Sequence, residues 1–358
     1  MHLKIRPYRR TFRHPLRTAH GLWAVREGLI LRLTDDQGHS GYGEIAPIPW
    51  FGTETPAQAL AFCQSLEPDF WQHRTTLAET AIPPHLPATQ FGLASAWADL
   101  QQARTASRFP PSPASPLPLC ALLPTGTAAL TAWPQLWEQG FRTFKWKIGV
   151  ADIAQECRWL EALITQLPPQ ARVRLDANGG LTLDSATQLL EWCDQLNRTA
   201  SLQPLSLRER GAGGEGQSAD GGRIECLEQP LPLEQFAAMH HLAQQFRTPL
   251  ALDESVATLA HLEDHHRRGW AGLWVVKPVI AGWPDRLRRV WRQHSPPMIF
   301  SSVFETPIGR QAALTLAQDY AQDVPGDRAL GFGTLGWFAD EWDTLSPAQI
   351  WDRAEDSG

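Results

Sequence analysis

The stretch Phe144-Lys145-Trp146-Lys147-Ile148-Gly149 decides how this chain is read. Aromatic and branched residues alternate strictly with lysines, and a glycine closes the run, which is the pattern of a short β-strand. Side chains two apart on a strand share a face. Phe144, Trp146 and Ile148 thus form an apolar face suited to packing under helices, and Lys145 and Lys147 share the other. Two neighbouring ammonium groups repel each other and gain nothing from a dry core. Either the strand is a solvated edge guarded by lysine, or the pair faces carboxylates, water or a chemical task.

From Leu117 onward the same kind of apolar run recurs. Leu119–Leu123, Phe144–Ile148, Val173–Ala177, Ile224–Glu228, Leu250–Glu254, Leu273–Lys277, Met298–Ser302 and Ala329–Phe332 are separated by helix-sized intervals. Such alternation predicts parallel strands joined by crossover helices. Eight strands predict a closed α/β barrel with its catalytic groups at the strand C-terminal ends. One interval is too long: after a helix over Asp184–Asn197, Thr199–Gly222 is rich in glycine and charge without an apolar period. It reads as an inserted, disordered loop, or alternatively as a lid.

The second to sixth runs each end in charge. They supply Lys145 and Lys147, then Asp176 and Asn178, Glu228, Asp253 with Glu254, and Lys277. A single carboxylate after a strand is often a helix N-cap, and Asp253 or Glu254 alone reads that way. Five consecutive strand ends of this kind on one rim read as a site. Three converging carboxylates would repel unless a cation lies among them. All-oxygen donors suit Mg²⁺, with Mn²⁺ as a substitute, better than Zn²⁺. A dication beside lysines makes removal of a proton α to a carboxylate feasible, because it takes up charge on the enediolate oxygens. The base must be neutral when it acts, and burial beside another ammonium lowers a lysine pKa.

Ahead of the barrel, residues 1 to about 46 read as antiparallel strands, with Gly28–Leu33 and Gly41–Ile45 as runs around the turn Thr34–Gly38. Helices follow from Pro56 to about Ser65 and over Thr89–Ala106, and the Pro- and Ser-rich Arg108–Pro118 reads as a linker. The expected domains are residues 1–116 as an α+β capping domain, 117–333 as a (β/α)7β barrel, and 334–358 as a C-terminal segment. That segment, with Trp337, Phe338, Trp342 and Trp351, returns to complete the capping domain.

Composition narrows the function. A chain of 358 residues with 43% hydrophobic and 20% charged content is an ordinary globular protein. The net charge of −6 and the lack of a basic stripe argue against a nucleic-acid partner. No apolar run spans a membrane, and Met1–Arg17 has no signal-peptide core, which points to the cytoplasm. Five scattered cysteines without a CxxC pair fit reduced core thiols.

The order Lys-x-Lys, Arg-Leu-Asp-x-Asn, Glu, Asp-Glu, Val-x-Lys-Pro on such a barrel resembles the enolase superfamily, in its branch with lysines on both faces. Gly21-Leu22-Trp23, Arg26-Glu27-Gly28, Gly41-Tyr42-Gly43-Glu44-Ile45-Ala46-Pro47, Phe51-Gly52-Thr53-Glu54-Thr55 and Ser301-Ser302-Val303-Phe304-Glu305-Thr306 with Gly309 resemble, within it, the o-succinylbenzoate synthase family. The resemblance implies a lyase of menaquinone and phylloquinone biosynthesis acting on a small carboxylate substrate. It would dehydrate 2-succinyl-6-hydroxy-2,4-cyclohexadiene-1-carboxylate to 2-succinylbenzoate. It also implies Lys147 as the acid–base residue, Lys277 as a cation on the opposite face, Lys145 as the residue that tunes Lys147, and Asp176, Glu228 and Asp253 as Mg²⁺ ligands.

Loops from the first domain, His20–Trp23 and Trp50–Thr55, are candidate lids, or else Trp50 and Phe51 only pack the domain interface. Asn178, Ser301 and Ser302 are candidate substrate contacts; the two serines alternatively cap the following helix. The nearest rival activity is an N-acylamino acid racemase or dipeptide epimerase on the same lysine pair, followed by muconate cycloisomerisation. A non-catalytic ligand-binding barrel would have little reason to keep the full lysine and carboxylate set. The sequence does not set the quaternary state, and a monomer is compatible with it.

Overall fold

The computed structural model describes residues 1–18, 21–66, 70, 82–105, 117–201 and 223–354. Strands β1 (His2–Thr18), β2 (Gly21–Thr34) and β3 (Ser40–Ile45) form an antiparallel sheet in the order β1-β2-β3. Alternate residues on a strand face opposite sides, and β2 buries both. Leu29, Leu31 and Leu33 join the main core, whereas Ile30 joins Tyr8, Ile308, Trp342, Ile350 and Trp351 in a second cluster.

Two helices cover the first face of this sheet. α1 (Pro56–Gln64) starts in a capping box between Thr55 and Gln58 with Pro56 in its first turn. α2 (Pro87–Arg104) begins two residues before the expected Thr89, because Pro87 fits the first turn of a helix. The Glu54 carboxylate accepts hydrogen bonds from its first amides, Ala88 N at 3.2 Å and Thr89 N at 2.6 Å. α2 lies so close on β3 that a Cβ at Gly43 would collide with the Gly92 carbonyl. Of the expected linker, residues 108–116 lie outside the described residues.

All eight apolar runs of the second half are strands of one parallel sheet: β4 (Leu119–Leu123), β5 (Thr143–Lys147), β6 (Arg172–Asp176), β7 (Ile224–Glu228), β8 (Leu250–Leu252), β9 (Leu273–Val276), β10 (Met298–Phe300) and β11 (Leu330–Gly333). Their order is β10-β9-β8-β7-β6-β5-β4-β11. A parallel bridge between Ser301 and Gly331, with Ser302 N donating to Gly331 O at 3.0 Å, brings the two outer strands together and completes the barrel. The crossovers are α3 (Ala129–Glu138), α4 (Ile153–Gln166), α5 (Leu183–Ser201), α6 (Phe236–Gln245), α7 (Leu259–Arg267), the pair α8 (Pro278–Ala281) and α9 (Pro284–His294), and α10 (Pro307–Asp323). α5 takes in Thr199–Ser201, the first three residues of the supposed insert; the remaining 202–222 lie outside the described residues.

After β11 the chain returns to the first sheet. Phe338 bridges to Phe12, Arg13 N donates to Trp337 O at 2.8 Å, and Ala339 N donates to Thr11 O at 2.9 Å. The buried Arg10 guanidinium pairs with Asp340 at 2.7 Å and Asp343 at 2.8 Å. α11 (Pro347–Arg353) then packs Ile350 and Trp351 against Ile30. Barrel and capping sheet are thereby fastened from both ends of the chain. All five cysteines are free thiols. Among the described residues, no helix is long and apolar enough to cross a membrane.

Candidate active site

Strand register assembles the rim. Lys147 pairs with Asp176, Asp176 with Glu228, and Glu228 with Ala251, two residues before Asp253. Three charged side chains therefore stand side by side at the ends of β5, β6 and β7. Asp253 follows β8, and Lys277 follows β9 as the residue before α8. In this eight-strand ring β5 and β9 are four positions apart, so Lys147 and Lys277 come from opposite walls.

Lys145 lies one layer deeper on the same face as Lys147. Its Nζ contacts Asp176 Oδ2 at 2.8 Å and Glu228 Oε1 at 2.6 Å. Burial works against this ammonium, but the two carboxylates outweigh it and hold its pKa above the ordinary lysine value. Lys145 is thus tied to Asp176 and Glu228, where the sequence had suggested a residue that tunes Lys147. Lys147 itself is half-buried.

Lys277 behaves differently. Burial pushes it down to about 7, helped by Lys145 and opposed by Glu228 and Asp176. Its Nζ forms an ion pair with Asp253 Oδ1 that lacks hydrogen-bond geometry, and it makes no hydrogen bond among the described residues. The Phe51 ring lies over it, 4.7 Å from the ring centre. Phe51 comes from the capping domain, on a 3-10 turn over Pro49–Phe51 that ends at Gly52 with φ 85°. Of the two lid candidates in this loop, Phe51 reaches the site, whereas Trp50 packs edge-on against Trp23 at 5.1 Å. Trp23 in turn packs on Phe12 and Phe304, building an aromatic wall between capping domain and barrel rim. His20, the first residue of the other candidate lid, lies outside the described residues.

The carboxylates outnumber their partners. Glu254 is pushed up to about 7 by burial and by the charges of Asp176 and Glu228. Its Oε1 accepts from Asn178 Nδ2 at 3.2 Å, and Asn178 N donates to Asp176 Oδ1 at 3.0 Å. Asn178, expected as a substrate contact, is therefore held between two acidic side chains, with φ at 43°. Asp253 Oδ1 and Glu254 Oε2 are buried without a hydrogen bond among the described residues.

The side chains as they stand do not form the convergent triad expected. Among the described residues no three His, Cys, Asp or Glu groups are arranged to hold an ion. Instead, Lys145 pairs with Asp176 and Glu228, and Lys277 pairs with Asp253. The donor chemistry nonetheless fits a hard dication. The available donors are all oxygen, and two of their atoms are buried without a hydrogen bond among the described residues.

The serines after β10 are less available than expected. Ser302 Oγ donates to the Glu305 carboxylate at 3.0 Å and accepts from Phe304 N at 2.9 Å, so it organises the start of α10. Among the described residues, Ser301 Oγ makes a long contact to Gly331 O, at 3.4 Å. In the sequence, Glu254 stands among the charged strand ends but not among the expected ligands, and Phe51 stands in a candidate lid loop without a partner. Nothing local aims the Phe51 ring at a lysine more than two hundred residues away.

A (β/α)7β barrel with an antiparallel capping sheet and a rim of carboxylates between opposed lysines defines an enolase-type scaffold. Residues 16–100 match the family model described as "MenC, N-terminal domain", and residues 129–211 match "Enolase C-terminal domain-like". The chain is 38% identical over 354 residues to the o-succinylbenzoate synthase of Thermosynechococcus vestitus, covering 98% of each chain. The crystal structure of o-succinylbenzoate synthase from Thermosynechococcus elongatus BP-1, complexed with Mg in the active site, superposes with a TM-score of 0.81 at 38% identity, covering 99% of this chain and 100% of that one. The N-succinyl Arg/Lys racemase from Bacillus cereus ATCC 14579 shares the fold, with a TM-score of 0.74 at 15% identity over 95% of this chain and 88% of that one. The chain belongs to the o-succinylbenzoate synthase family of the enolase superfamily.

Proposed function

We infer that this chain catalyses the reaction of its family, dehydration of 2-succinyl-6-hydroxy-2,4-cyclohexadiene-1-carboxylate to 2-succinylbenzoate. The observation that carries this reading is the rim itself: lysines on opposite walls flank an oxygen-donor cluster, in a chain alike over its whole length to a curated synthase. Asp176, Glu228 and Asp253 would hold Mg²⁺. Bound there, the ion supplies charge stabilisation to the substrate carboxylate as its α-proton leaves.

The remaining work falls to the chain's own residues. Lys147 Nζ takes the proton α to the ring carboxylate, retains it, and delivers it to the departing hydroxyl on the same face. Lys277, when protonated, approaches from the other face and offers positive charge to the electron-rich ring. Phe51 and the aromatic wall of Trp23, Trp50 and Phe304 keep water from that side. Lys145, tied to Asp176 and Glu228, offsets part of the charge on the carboxylate cluster.

A second reading, racemisation of N-acylamino acids, draws support from Lys277, whose Nζ makes no hydrogen bond among the described residues and stands opposite Lys147. Steady-state turnover of the cyclohexadiene substrate and of N-succinylamino acids separates the two. A higher kcat/KM for the cyclohexadiene is expected. Turnover of amino acids alone would overturn the dehydratase reading.

A further inference from the structure

We propose that Gln229 is the positioning residue that sets the spacing of the metal-binding carboxylates. The proposal rests on the reading of Asp176, Glu228 and Asp253 as the ligands. Gln229 directly follows Glu228, is 1% exposed, and adopts φ 38°, a left-handed conformation that a residue with a long side chain rarely takes. That conformation turns its side chain along the rim toward the end of the next strand.

Every polar atom of Gln229 is engaged there. Its amide N donates to Ala251 O at 2.8 Å in β8, and its carbonyl accepts from Gly179 N at 2.7 Å in the turn after β6. The side-chain Oε1 accepts from Asp253 N at 3.0 Å and from Ser255 N at 3.3 Å. Nε2 donates to Ser255 Oγ at 2.9 Å and Leu231 O at 3.1 Å. One residue therefore ties together the three strand ends that carry Asp176, Glu228 and Asp253. It touches none of those carboxylate oxygens, so it acts through the backbone that bears them. A primary amide is the side chain this place needs: one oxygen accepts two amide protons, and one NH₂ supplies two donors. Methionine matches its length and shape but makes neither pair.

The test is Mg²⁺ binding, measured by titration calorimetry on the wild-type chain, Gln229→Met, Ser255→Ala and Asp253→Ala, with melting temperatures taken in chelator. Residues that orient metal ligands typically contribute about 10- to 100-fold in affinity. Gln229→Met should weaken Mg²⁺ by about that factor, and Ser255→Ala by a smaller one because it leaves both amide bonds to Oε1 in place. Both should keep a cooperative metal-free melt, and Mg²⁺ should raise their melting temperatures less than it raises that of the wild type. Gln229→Met binding Mg²⁺ as tightly as the wild type, while Asp253→Ala does not bind, would overturn the positioning role and leave the ligand reading intact. Mg²⁺ binding unaffected in Asp253→Ala would overturn both. If Gln229→Met melts without cooperativity, Ser255→Ala decides: an unchanged affinity there refutes the proposal.

Discussion

Replacing Glu44 should separate the two halves of the molecule energetically. Glu44 is fully buried at the end of β3, and its carboxylate accepts from four donors: Tyr8 OH at 2.5 Å, Thr306 N at 2.9 Å, Thr306 Oγ1 at 2.5 Å and Gly309 N at 2.9 Å. It thereby fixes the first turn of α10, just after the barrel strand that carries Ser301 and Ser302, to the capping sheet. In Glu44→Ala the two hydroxyls can rotate toward other acceptors, but the Thr306 and Gly309 amides cannot. Each buried donor left without a partner costs about 1–3 kcal/mol, so the two fixed amides predict a loss of about 2–6 kcal/mol. Glu44→Gln keeps one acceptor oxygen but turns an NH₂ toward the other donors, and should lose about half as much. Gly309→Ala should reproduce part of the effect, because its Cβ would press on Glu44 Oε2. The assay is urea unfolding followed by tryptophan fluorescence, with kcat measured in parallel. A Glu44→Ala loss below about 1 kcal/mol with unchanged kcat would refute the claim that this carboxylate joins the domains.

Three further outcomes are expected. Phe51→Ala removes the ring over Lys277, an interaction worth about 0.5–2 kcal/mol, so kcat should fall by roughly 2- to 30-fold with the melting temperature little changed, while Phe51→Trp stays near the wild type; equal rates for Phe51→Ala and wild type would remove the ring from the account. Asp194 is held below the usual carboxylate range: burial would raise it, but the Arg247 and Thr248 amides and the Thr248 hydroxyl overcome that. Its contribution is present above the unfolded value near 3.9 and lost as pH falls through the lower folded value, so Asp194→Asn should melt lower than wild type at pH 7 and the gap should close below about pH 4; a gap unchanged at pH 3 contradicts the assignment. Chelation should abolish turnover and Mg²⁺ or Mn²⁺ should restore it, with Asp176→Ala nearly inactive; best recovery with Zn²⁺ would speak against an oxygen-donor site.

The parts of this protein legible in its sequence are those governed by local rules. Each barrel strand is a short apolar run, and period and length sufficed to find Leu119–Leu123 through Ala329–Phe332. The rim was legible for the same reason, since Lys147, Asp176, Glu228 and Lys277 stand where a run ends. What stayed hidden depends on partners far apart in the chain. Nothing near Lys145 tells that its Nζ lies between Asp176 and Glu228. Glu44 looked like part of a motif, yet its partners at Thr306 and Gly309 lie more than two hundred and fifty residues on. Backbone conformation was equally silent at Gln229, which takes a left-handed angle that no propensity assigns to glutamine.

The central claim is that the two lysines on opposite walls have different tasks: proton transfer for Lys147 and charge for Lys277. The most direct test is kcat of Lys147→Arg and Lys277→Arg on the cyclohexadiene substrate, with Mg²⁺ binding checked in each. Arginine keeps the charge but is too basic to pass protons near neutral pH. Loss of an acid–base residue costs at least about 10²- to 10⁴-fold. The account predicts that Lys277→Arg retains measurable turnover and Lys147→Arg has essentially none. An active Lys147→Arg beside a dead Lys277→Arg would reverse the two faces and contradict it.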